Sequence, residues 1–203
     1  MPFDPTFKLR PLSPSCINSF LYDKEKWYET YILNKRQTSE ELTFGSMIDK
    51  RLETDPTFLP EVPRCPMLQH SMTATFSGIH LTGKPDALDL EQFILRDYKT
   101  GKNKWDKKRA DESLQLTFYL FLVYLNYKIP PEKFGCYIDW METTKVSTAK
   151  RGLSKGEYKI EFVKNMKVKH IKTKRAMSDL IKLGNLIKHV VKEMQEYVDN
   201  RVA

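Results

Sequence analysis

Two aspartates and a lysine in the segment GKPDALDLEQFILRDYKTGK, residues 83–102, have the residue types and the spacing to do chemistry. Asp86 and Asp97 stand eleven positions apart, and Lys99 follows the second aspartate by two. The period of two in a β-strand places Asp97 and Lys99 on one face. If the chain turns at residues 91 and 92, Asp86 lies opposite Asp97 at about 5 Å, where the two like charges repel unless a cation lies between them.

Two carboxylates beside a lysine suit the hydrolysis of a phosphodiester bond with the help of Mg²⁺ or Mn²⁺. Mg²⁺ prefers oxygen ligands and commonly takes one or two carboxylates together with waters and substrate phosphate. It lowers the pKa of a bound water, and a neighbouring lysine can stabilise the negative charge that grows on the phosphate. Acid-x-Lys is a weak pattern, however, and a solvated hairpin with an Asp–Lys ion pair explains the local spacing about as well.

The charge distribution favours a polyanionic partner. The chain has 203 residues, 40% of them hydrophobic, and a net charge of +8. Residues 1–100 carry 12 Lys+Arg against 14 Asp+Glu, whereas residues 101–203 carry 22 against 12. The longest apolar run, residues 118–125, is too short to span a bilayer and the amino terminus has no signal-type stretch, so we expect a soluble intracellular protein without membrane contact.

Helices are predicted before the strands. A first helix, with Ser13 or Ser15 as its N-cap, is predicted in the segment LSPSCINSFLYDKEKWYETYI. A second begins near Thr38, which with Glu41 has the spacing of a capping box. The four prolines of residues 54–68 then predict a connecting loop.

The middle of the chain predicts strands around one helix. An antiparallel meander is expected from SMTATFSG, IHLTGKPDALDL and FILRDYK. A helix with an acidic first turn is expected over ADESLQLTFYLFLVYLNYKI, with a stop at Pro130. Two later strands, KFGCYIDWMETTKV and EYKIEFVK, enclose the basic turn STAKRGLSKG, and residues 173–200 form a long amphipathic helix.

The order and spacing of these segments resemble the RecB-like exonuclease branch of the PD-(D/E)XK nuclease superfamily over most of residues 13–120. GKPDALDL is similar to the strand of that branch that ends in an acid, and ILRDYKTGK to its Asp-x-Lys strand. QLTFY is similar to its Gln-x-x-x-Tyr helix. LSPSCINSFLYDKEKWY and FGSMID are similar to the two helices that precede its sheet.

The resemblance implies an α/β fold with a restriction-endonuclease-like core, in which helices flank a mixed β-sheet. Residues 1–203 would form a single nuclease domain. Its parts would be the amino-terminal helices (1–53), the sheet with its crossover helix (69–172) and the carboxyl-terminal helix (173–200).

The resemblance also implies a set of metal ligands. Asp86 and Asp97 would bind the ion, with the main-chain carbonyl of Tyr98 as a third ligand. Where the family commonly has Gly-x-x-x-His with a ligating histidine, the match here ends in Asp49. Aspartate is a harder ligand than histidine and suits Mg²⁺, although an exposed helix acid is the alternative.

Catalytic roles follow in the same way. Lys99 would be the catalytic lysine, and Gln115 and Tyr119 would lie beside the site on the crossover helix. Their i, i+4 spacing projects both from one helical face, where they could steady Lys99 or the nucleic-acid backbone. The alternative for this pair is routine packing of a helix on a sheet.

No iron–sulfur cluster is expected. Members that bind one often have Cys-Pro before the aromatic pair of the first helix, where this chain has Asp23 and Lys24. The three cysteines, at positions 16, 65 and 136, lie far apart and predict buried thiols, neither a zinc knuckle nor a disulfide framework.

A basic loop, residues 99–109, flanks the proposed site and encloses an aromatic ring. Positive charge for phosphates and a ring for stacking are what a groove that follows a DNA strand needs. A solvated surface segment is an equal alternative, and KHIKTKR, residues 169–175, is a second and less specific basic cluster. The proposed DNA-binding residues are Lys102, Lys104, Trp105, Lys107, Lys108 and Arg109.

We therefore expect a Mg²⁺- or Mn²⁺-dependent deoxyribonuclease. Resemblance to this branch favours an exonuclease that acts on DNA ends in recombination, repair or replication, together with partner proteins of such a complex. It would work in the cytoplasm, as a bacterial protein or a viral protein in a host cell. The alternatives are a structure-specific endonuclease on the same fold and a non-catalytic DNA-binding or complex-forming protein that retains the fold.

Overall fold

The predicted fold class is confirmed by a computed structural model, which describes residues 10–35, 40–101, 103–142 and 167–202. A mixed sheet lies between helices, and a long helix follows it. None of the helices in these ranges is long and apolar enough to span a lipid bilayer. The α-helices are α1 (Pro14–Tyr22), α2 (Lys24–Trp27), α3 (Glu40–Thr54), α4 (Lys107–Asp111), α5 (Leu114–Tyr127) and α6 (Met177–Val202).

The strands form two sheets. Five of them make a sheet in the order β1-β4-β5-β6-β7, and β2 pairs with β3 in a separate ribbon. In the large sheet β5 and β6 are parallel, and the other neighbours are antiparallel. The strands are β1 (Met67–Leu68), β2 (Met72–Phe76), β3 (Ile79–Gly83), β4 (Ala87–Asp89), β5 (Ile94–Gly101), β6 (Gly135–Glu142) and β7 (Val168–Thr173).

The first predicted helix is divided. Ser13 caps α1 with a side-chain oxygen that accepts from the amide of Cys16. Asp23 then takes an extended conformation and caps α2 by accepting from the amide of Lys26. A short polar side chain that bonds the next amides favours a new helix start over continuation, so the prediction of one continuous helix was wrong. The capping box at Thr38 lies outside the described residues.

The predicted meander is also divided. Its second segment was expected to run without a break into the strand ending at Leu90, but Pro85 separates β3 from β4. Proline cannot donate a hydrogen bond to a sheet ladder, so the two strands enter different sheets. Met67–Leu68 pairs with β4 inside the segment predicted as loop.

Two further boundaries differ from the predictions. The second basic cluster, residues 169–175, overlaps the edge strand β7 (Val168–Thr173), where exposed lysines are common because they discourage pairing with another chain. The carboxyl-terminal helix therefore begins at Met177 and not at residue 173. The predicted strand EYKIEFVK and turn STAKRGLSKG lie outside the described residues.

The helix α5 provides the connection that the parallel pair β5 and β6 requires. It begins after Ser113, whose hydroxyl accepts from the amide of Leu116, so its first turn contains no acidic residue, contrary to the prediction. It ends at Tyr127, where Lys128 adopts a left-handed conformation just ahead of the predicted proline stop.

The two faces of the sheet bury different sets of side chains. Leu95 of β5 belongs to a core shared with α1, α5 and α6, whereas Tyr98 packs on the other side with Ile48 and Leu52 of α3. This alternation is the one predicted from the period of two, and it places Asp97 and Lys99 on the side of α5. The three cysteines are buried and free, as predicted.

Arg175 joins the start of α5 to the end of β7. Its side chain is buried, with 4% of the residue exposed. The guanidinium donates to the carbonyls of Ala110 and Ser113 at 2.8 and 3.2 Å, and to the hydroxyls of Thr117 and Thr173 at 2.7 Å. These bonds satisfy main-chain carbonyls at the junction of α4 and α5, and so fix where α5 begins.

Candidate active site

The two aspartates of the opening motif lie side by side at the end of a strand pair. Ala87 of β4 pairs with Arg96 of β5, so the next position along the ladder places Asp86 opposite Asp97. This is the register expected from the sequence, although the connecting loop spans residues 90–93 and is longer than the expected two-residue turn. Asp89 shapes that loop, because its Oδ1 accepts two of the loop amides at 2.9 and 2.8 Å.

Asp86 is held at both carboxylate oxygens. Oδ2 accepts from the amide of Tyr98 at 2.6 Å, and Oδ1 accepts from Nε2 of Gln69 at 2.7 Å. Gln69 has a positive φ of 49°, and its own amide donates to the Asp86 carbonyl at 3.0 Å. Gln69 lies between β1 and β2 and belongs to no sequence motif, so its role was not predicted.

Asp97 is completely buried, yet its carboxylate is poorly satisfied. Among the described residues, neither oxygen receives a hydrogen bond of good geometry. The only close cation in those ranges is the ammonium of Lys99, whose Nζ lies 2.7 Å from Oδ2. Apart from this ion pair the buried carboxylate has no hydrogen-bond partner among the described residues, which is costly, so its oxygens are suited to ligating a metal cation.

Lys99 is held from the other side by α5. Its Nζ donates to Oε1 of Gln115 at 2.8 Å, and Nε2 of Gln115 donates to the hydroxyl of Tyr119 at 2.7 Å. The structure thus brings together Lys99 and the two helical residues that the sequence placed beside it. The result is a chain of hydrogen bonds that fixes the ammonium against Asp97.

Gly83 lets α5 come this close. A methyl group at its Cα would lie 2.8 Å from Cδ1 of Leu122 and 3.1 Å from a ring carbon of Tyr119. Contacts this short force neighbouring atoms to move. The absence of a side chain at the end of β3 therefore helps set the position of the Tyr119 ring.

The site gathers more negative than positive charge. Burial, and then the charge of Asp97, raise the pKa of Asp86 to about 8. Burial also raises the pKa of Asp97. For Lys99, burial acts to lower the pKa, but attraction to Asp97 outweighs it and the pKa lies above its usual value. Such an environment favours either protons or a metal cation on the carboxylates.

Asp49 lies near these groups without binding any of them. It is half-buried on α3, and burial raises its pKa to about 6, with Lys99 opposing the rise and Asp97 adding to it. In the described ranges, no three His, Cys, Asp or Glu side chains are gathered closely enough to hold a metal by themselves. Asp86 and Asp97 still form the two-carboxylate set with which Mg²⁺ commonly combines waters and substrate phosphate.

The basic loop differs from a freely exposed segment. Trp105 is half-buried against the core, and the guanidinium of Arg109 lies 4.0 Å from the centre of its ring. Lys107 pairs with Asp111 at 2.5 Å, within α4. Lys104 and Lys108 are exposed, and Lys102 lies outside the described residues. One face of the predicted stacking ring is thus already covered.

A cleft of about 850 Å³ opens beside Gln115 and Tyr119. Its wall also includes Lys84, which follows β3 and lies close enough to Asp49 to lower that residue's pKa. No sequence pattern predicted this cleft. Only the approach of α1 to β3 in the folded chain reveals it.

Comparison with known proteins identifies relatives at the level of family and fold. The profile of the PD-(D/E)XK nuclease superfamily matches residues 59–200. A "Putative exonuclease" from Eubacterium rectale is similar in structure, with a TM-score of 0.59, 15% identity, and coverage of 95% of this chain and 82% of that one. A phage-related exonuclease from Haemophilus somnus has a TM-score of 0.53 and 10% identity, with coverage of 93% and 83%. A search of curated protein sequences gave no significant match.

Proposed function

Because this chain belongs to the PD-(D/E)XK nuclease superfamily, we propose that it is a metal-dependent exonuclease that hydrolyses phosphodiester bonds in DNA. The observation that carries the proposal is the state of Asp97. Its carboxylate is buried, poorly hydrogen-bonded among the described residues, and flanked by Asp86 and Lys99. A carboxylate in that state fits a cation better than it fits a purely structural role.

The residues present fit a hard divalent cation. Asp86 and Asp97 would hold Mg²⁺ or Mn²⁺, and the Tyr98 carbonyl and Asp49 would complete the ligands together with water. When bound, such an ion lowers the pKa of a water and offsets charge on the phosphate. Asp86 is already oriented by two hydrogen bonds, so little reorganisation is needed for it to bind.

Lys99 supplies positive charge at the reacting phosphate. With its ammonium fixed by Gln115, it can donate a hydrogen bond toward a phosphate oxygen where negative charge grows. Tyr119 orients Gln115 through the hydroxyl and so acts one step further from the substrate. These two residues of α5 position Lys99 rather than react.

Action on DNA ends is the finer part of the proposal. It is supported by the resemblance of the motifs to the RecB-like branch and by the names of the two structurally similar proteins. We propose that the enzyme acts in the cytoplasm of a bacterium, or of a host cell infected by a virus. Recombination, repair or replication, with protein partners of such a complex, is the expected setting.

A nuclease assay tests the proposal. Linear and covalently closed circular DNA, each in single- and double-stranded form, are incubated with Mg²⁺, Mn²⁺ or EDTA. We expect linear DNA to be degraded with metal and spared in EDTA, while Asp97→Ala and Lys99→Ala lose at least about 100-fold in rate. Lys192→Ala, which removes an exposed lysine of α6, serves as a control and retains the wild-type rate.

The other possible results of this assay favour one of the alternative functions. Cleavage of closed circles would replace the exonuclease with an endonuclease on the same fold. A wild-type protein that cleaves nothing under any of these conditions, or variants at Asp97 and Lys99 that match it, would overturn catalysis and leave a DNA-binding or complex-forming protein.

A further inference from the structure

The cleft beside the proposed active site is bordered by one polar face of α1. Ser15, Asn18, Ser19 and Tyr22 have the spacing i, i+3, i+4, i+7 that aligns side chains along a helix, and all four line the cleft. The opposite face of α1 is buried in the core. This row adds hydroxyl and amide groups to a wall that is otherwise largely apolar, with an aromatic ring at the far end of the row.

Main-chain hydrogen bonds hold this face beside the site. The amide of Leu12 donates to the carbonyl of His80 at 2.7 Å, and the amide of Thr82 donates to the carbonyl of Leu12 at 2.9 Å. The residue just ahead of α1 is thereby fixed along β3. The end of β3 leads to Gly83 and Lys84, which line the same cleft as α1.

The cleft borders the two residues of α5 that position Lys99. Gln115 and Tyr119 form part of its wall, and Gln115 binds Lys99 directly. Lys84, which follows β3, lines the same cleft. A ligand that lies along α1 would therefore reach the residues that hold Lys99.

The chemistry of the wall matches one strand of a nucleic acid. Tyr22 is 91% exposed although it is a large aromatic residue, so its ring is free to stack on a base. Lys26 and Lys84 are exposed cations for phosphates. Asp23 also lines the cleft, but its carboxylate is engaged with the amide of Lys26 as a helix cap.

We propose that this cleft binds an unpaired DNA strand and guides it to the active site. The proposal rests on the function proposed above, and it adds the substrate class: a single strand, or the unpaired end of a duplex. A base can stack on the exposed Tyr22 ring only when it is not paired. Lys84 contacts the phosphate nearest the site, and Tyr22 stacks on a base further along the strand.

Binding measured without cleavage tests the cleft directly. The fluorescence anisotropy of a labelled oligothymidine is followed in EDTA with the wild-type chain and single variants. Tyr22→Ala should raise the Kd about tenfold, whereas Tyr22→Phe should not, because the ring is retained. Tyr127→Ala, which removes an exposed tyrosine outside the cleft, is the matched control.

The salt dependence of binding distinguishes the contribution of the Lys84 charge from that of the Tyr22 ring. Lys84→Ala should reduce the slope of log Kd against log salt by about 0.7, the value for one phosphate contact on a single strand. Tyr22→Ala should leave that slope unchanged. Lys192→Ala should change neither the Kd nor the slope.

The outcomes distinguish the two proposals. If the wild type degrades DNA while Tyr22→Ala and Lys84→Ala bind the oligonucleotide as the controls do, the cleft proposal is wrong and the nuclease stands. If both variants lose binding while the wild type cleaves nothing, the cleft stands and hydrolysis fails. If Tyr22→Ala loses as much affinity for a blunt duplex as for the oligothymidine, the assignment to an unpaired strand is wrong.

Discussion

The amide of Tyr98, two residues beyond the last pair of β4 and β5, donates to the side chain of Asp86 over 2.6 Å. A carboxylate thus takes the place of the carbonyl that a longer β4 would have offered. The orientation of a proposed metal ligand is thereby coupled to the register of the sheet. Gln69 donates to the second oxygen of Asp86, so the Tyr98 amide and the Gln69 side chain together orient this proposed ligand.

Removing the donor at Gln69 should weaken metal binding. Gln69→Leu keeps the approximate size of the side chain but leaves Oδ1 of Asp86 without its partner. We expect the affinity for Mn²⁺, measured by isothermal titration calorimetry, to fall about 10- to 100-fold, as for other residues that orient a metal ligand. Gln92→Leu, in the exposed loop after β4, should leave the affinity unchanged. An affinity for Gln69→Leu equal to that of the wild type would contradict this role.

The metal-free protein should gain stability as the pH falls from 8 to 6. The pKa of Asp86 is raised from 3.8 to about 8 by burial and by Asp97. Between those values the folded state binds a proton that the unfolded state does not, so the free energy of unfolding increases by up to about 1.4 kcal/mol per pH unit as the pH falls. Urea denaturation in EDTA at pH 6, 7 and 8 measures this.

Asp86→Asn is the matched control for the pH dependence. The amide has no proton to gain in this range, so the free energy of unfolding should vary less with pH than in the wild type. Saturating Mn²⁺ should also flatten the dependence, because a bound cation favours the ionised carboxylate. If the free energy of unfolding of the metal-free wild type rises with pH over this range, the raised pKa of Asp86 is contradicted.

Gln115 should matter for turnover more than for substrate affinity. Gln115→Leu removes the acceptor that fixes the Lys99 ammonium, and we expect kcat to fall about 10- to 100-fold with little change in KM. Tyr119→Phe removes only the hydroxyl that Gln115 donates to, so its loss should be smaller. Steady-state kinetics on a fluorescent oligonucleotide measures both. A rise in KM with kcat unchanged would mean that Gln115 binds DNA and does not position the lysine.

Asp49 should contribute to metal affinity despite making no direct contact in the described part of the site. Asp49→Ala is expected to weaken Mn²⁺ binding about tenfold by calorimetry, and Asp49→His, which restores the residue type common in the family, should recover part of the affinity. Glu53→Ala, one turn further along α3, is the control. An unchanged affinity in Asp49→Ala would return Asp49 to the role of a surface acid on α3.

The sequence predicted the part of the site that depends on local periodicity. Alternation along β5 placed Asp97 and Lys99 on one face, and the i, i+4 spacing placed Gln115 and Tyr119 on one side of α5. The register of Asp86 against Asp97 could be deduced because β4 and β5 are joined by a short loop. In each case the geometry follows from residues close together in the chain.

The remaining parts depend on packing between distant segments. Gln69 reaches Asp86 through a loop whose shape no motif records. The cleft lies where the segment ahead of α1 aligns with β3. The strand β7 was not predicted because its lysines are also typical of a charged surface segment. Single-sequence patterns describe which face a side chain takes within its own element, and they carry little information on which elements meet.

The buried Arg175 has a consequence for folding during synthesis. It satisfies carbonyls of Ala110 and Ser113, at the start of the helix that carries Gln115, yet it follows them in the chain by more than sixty residues. Chains emerge from the ribosome amino terminus first. A nascent chain therefore exposes every proposed catalytic residue well before it contains the arginine that secures their supporting helix, and we expect competence for cleavage to be acquired only after Arg175 has emerged.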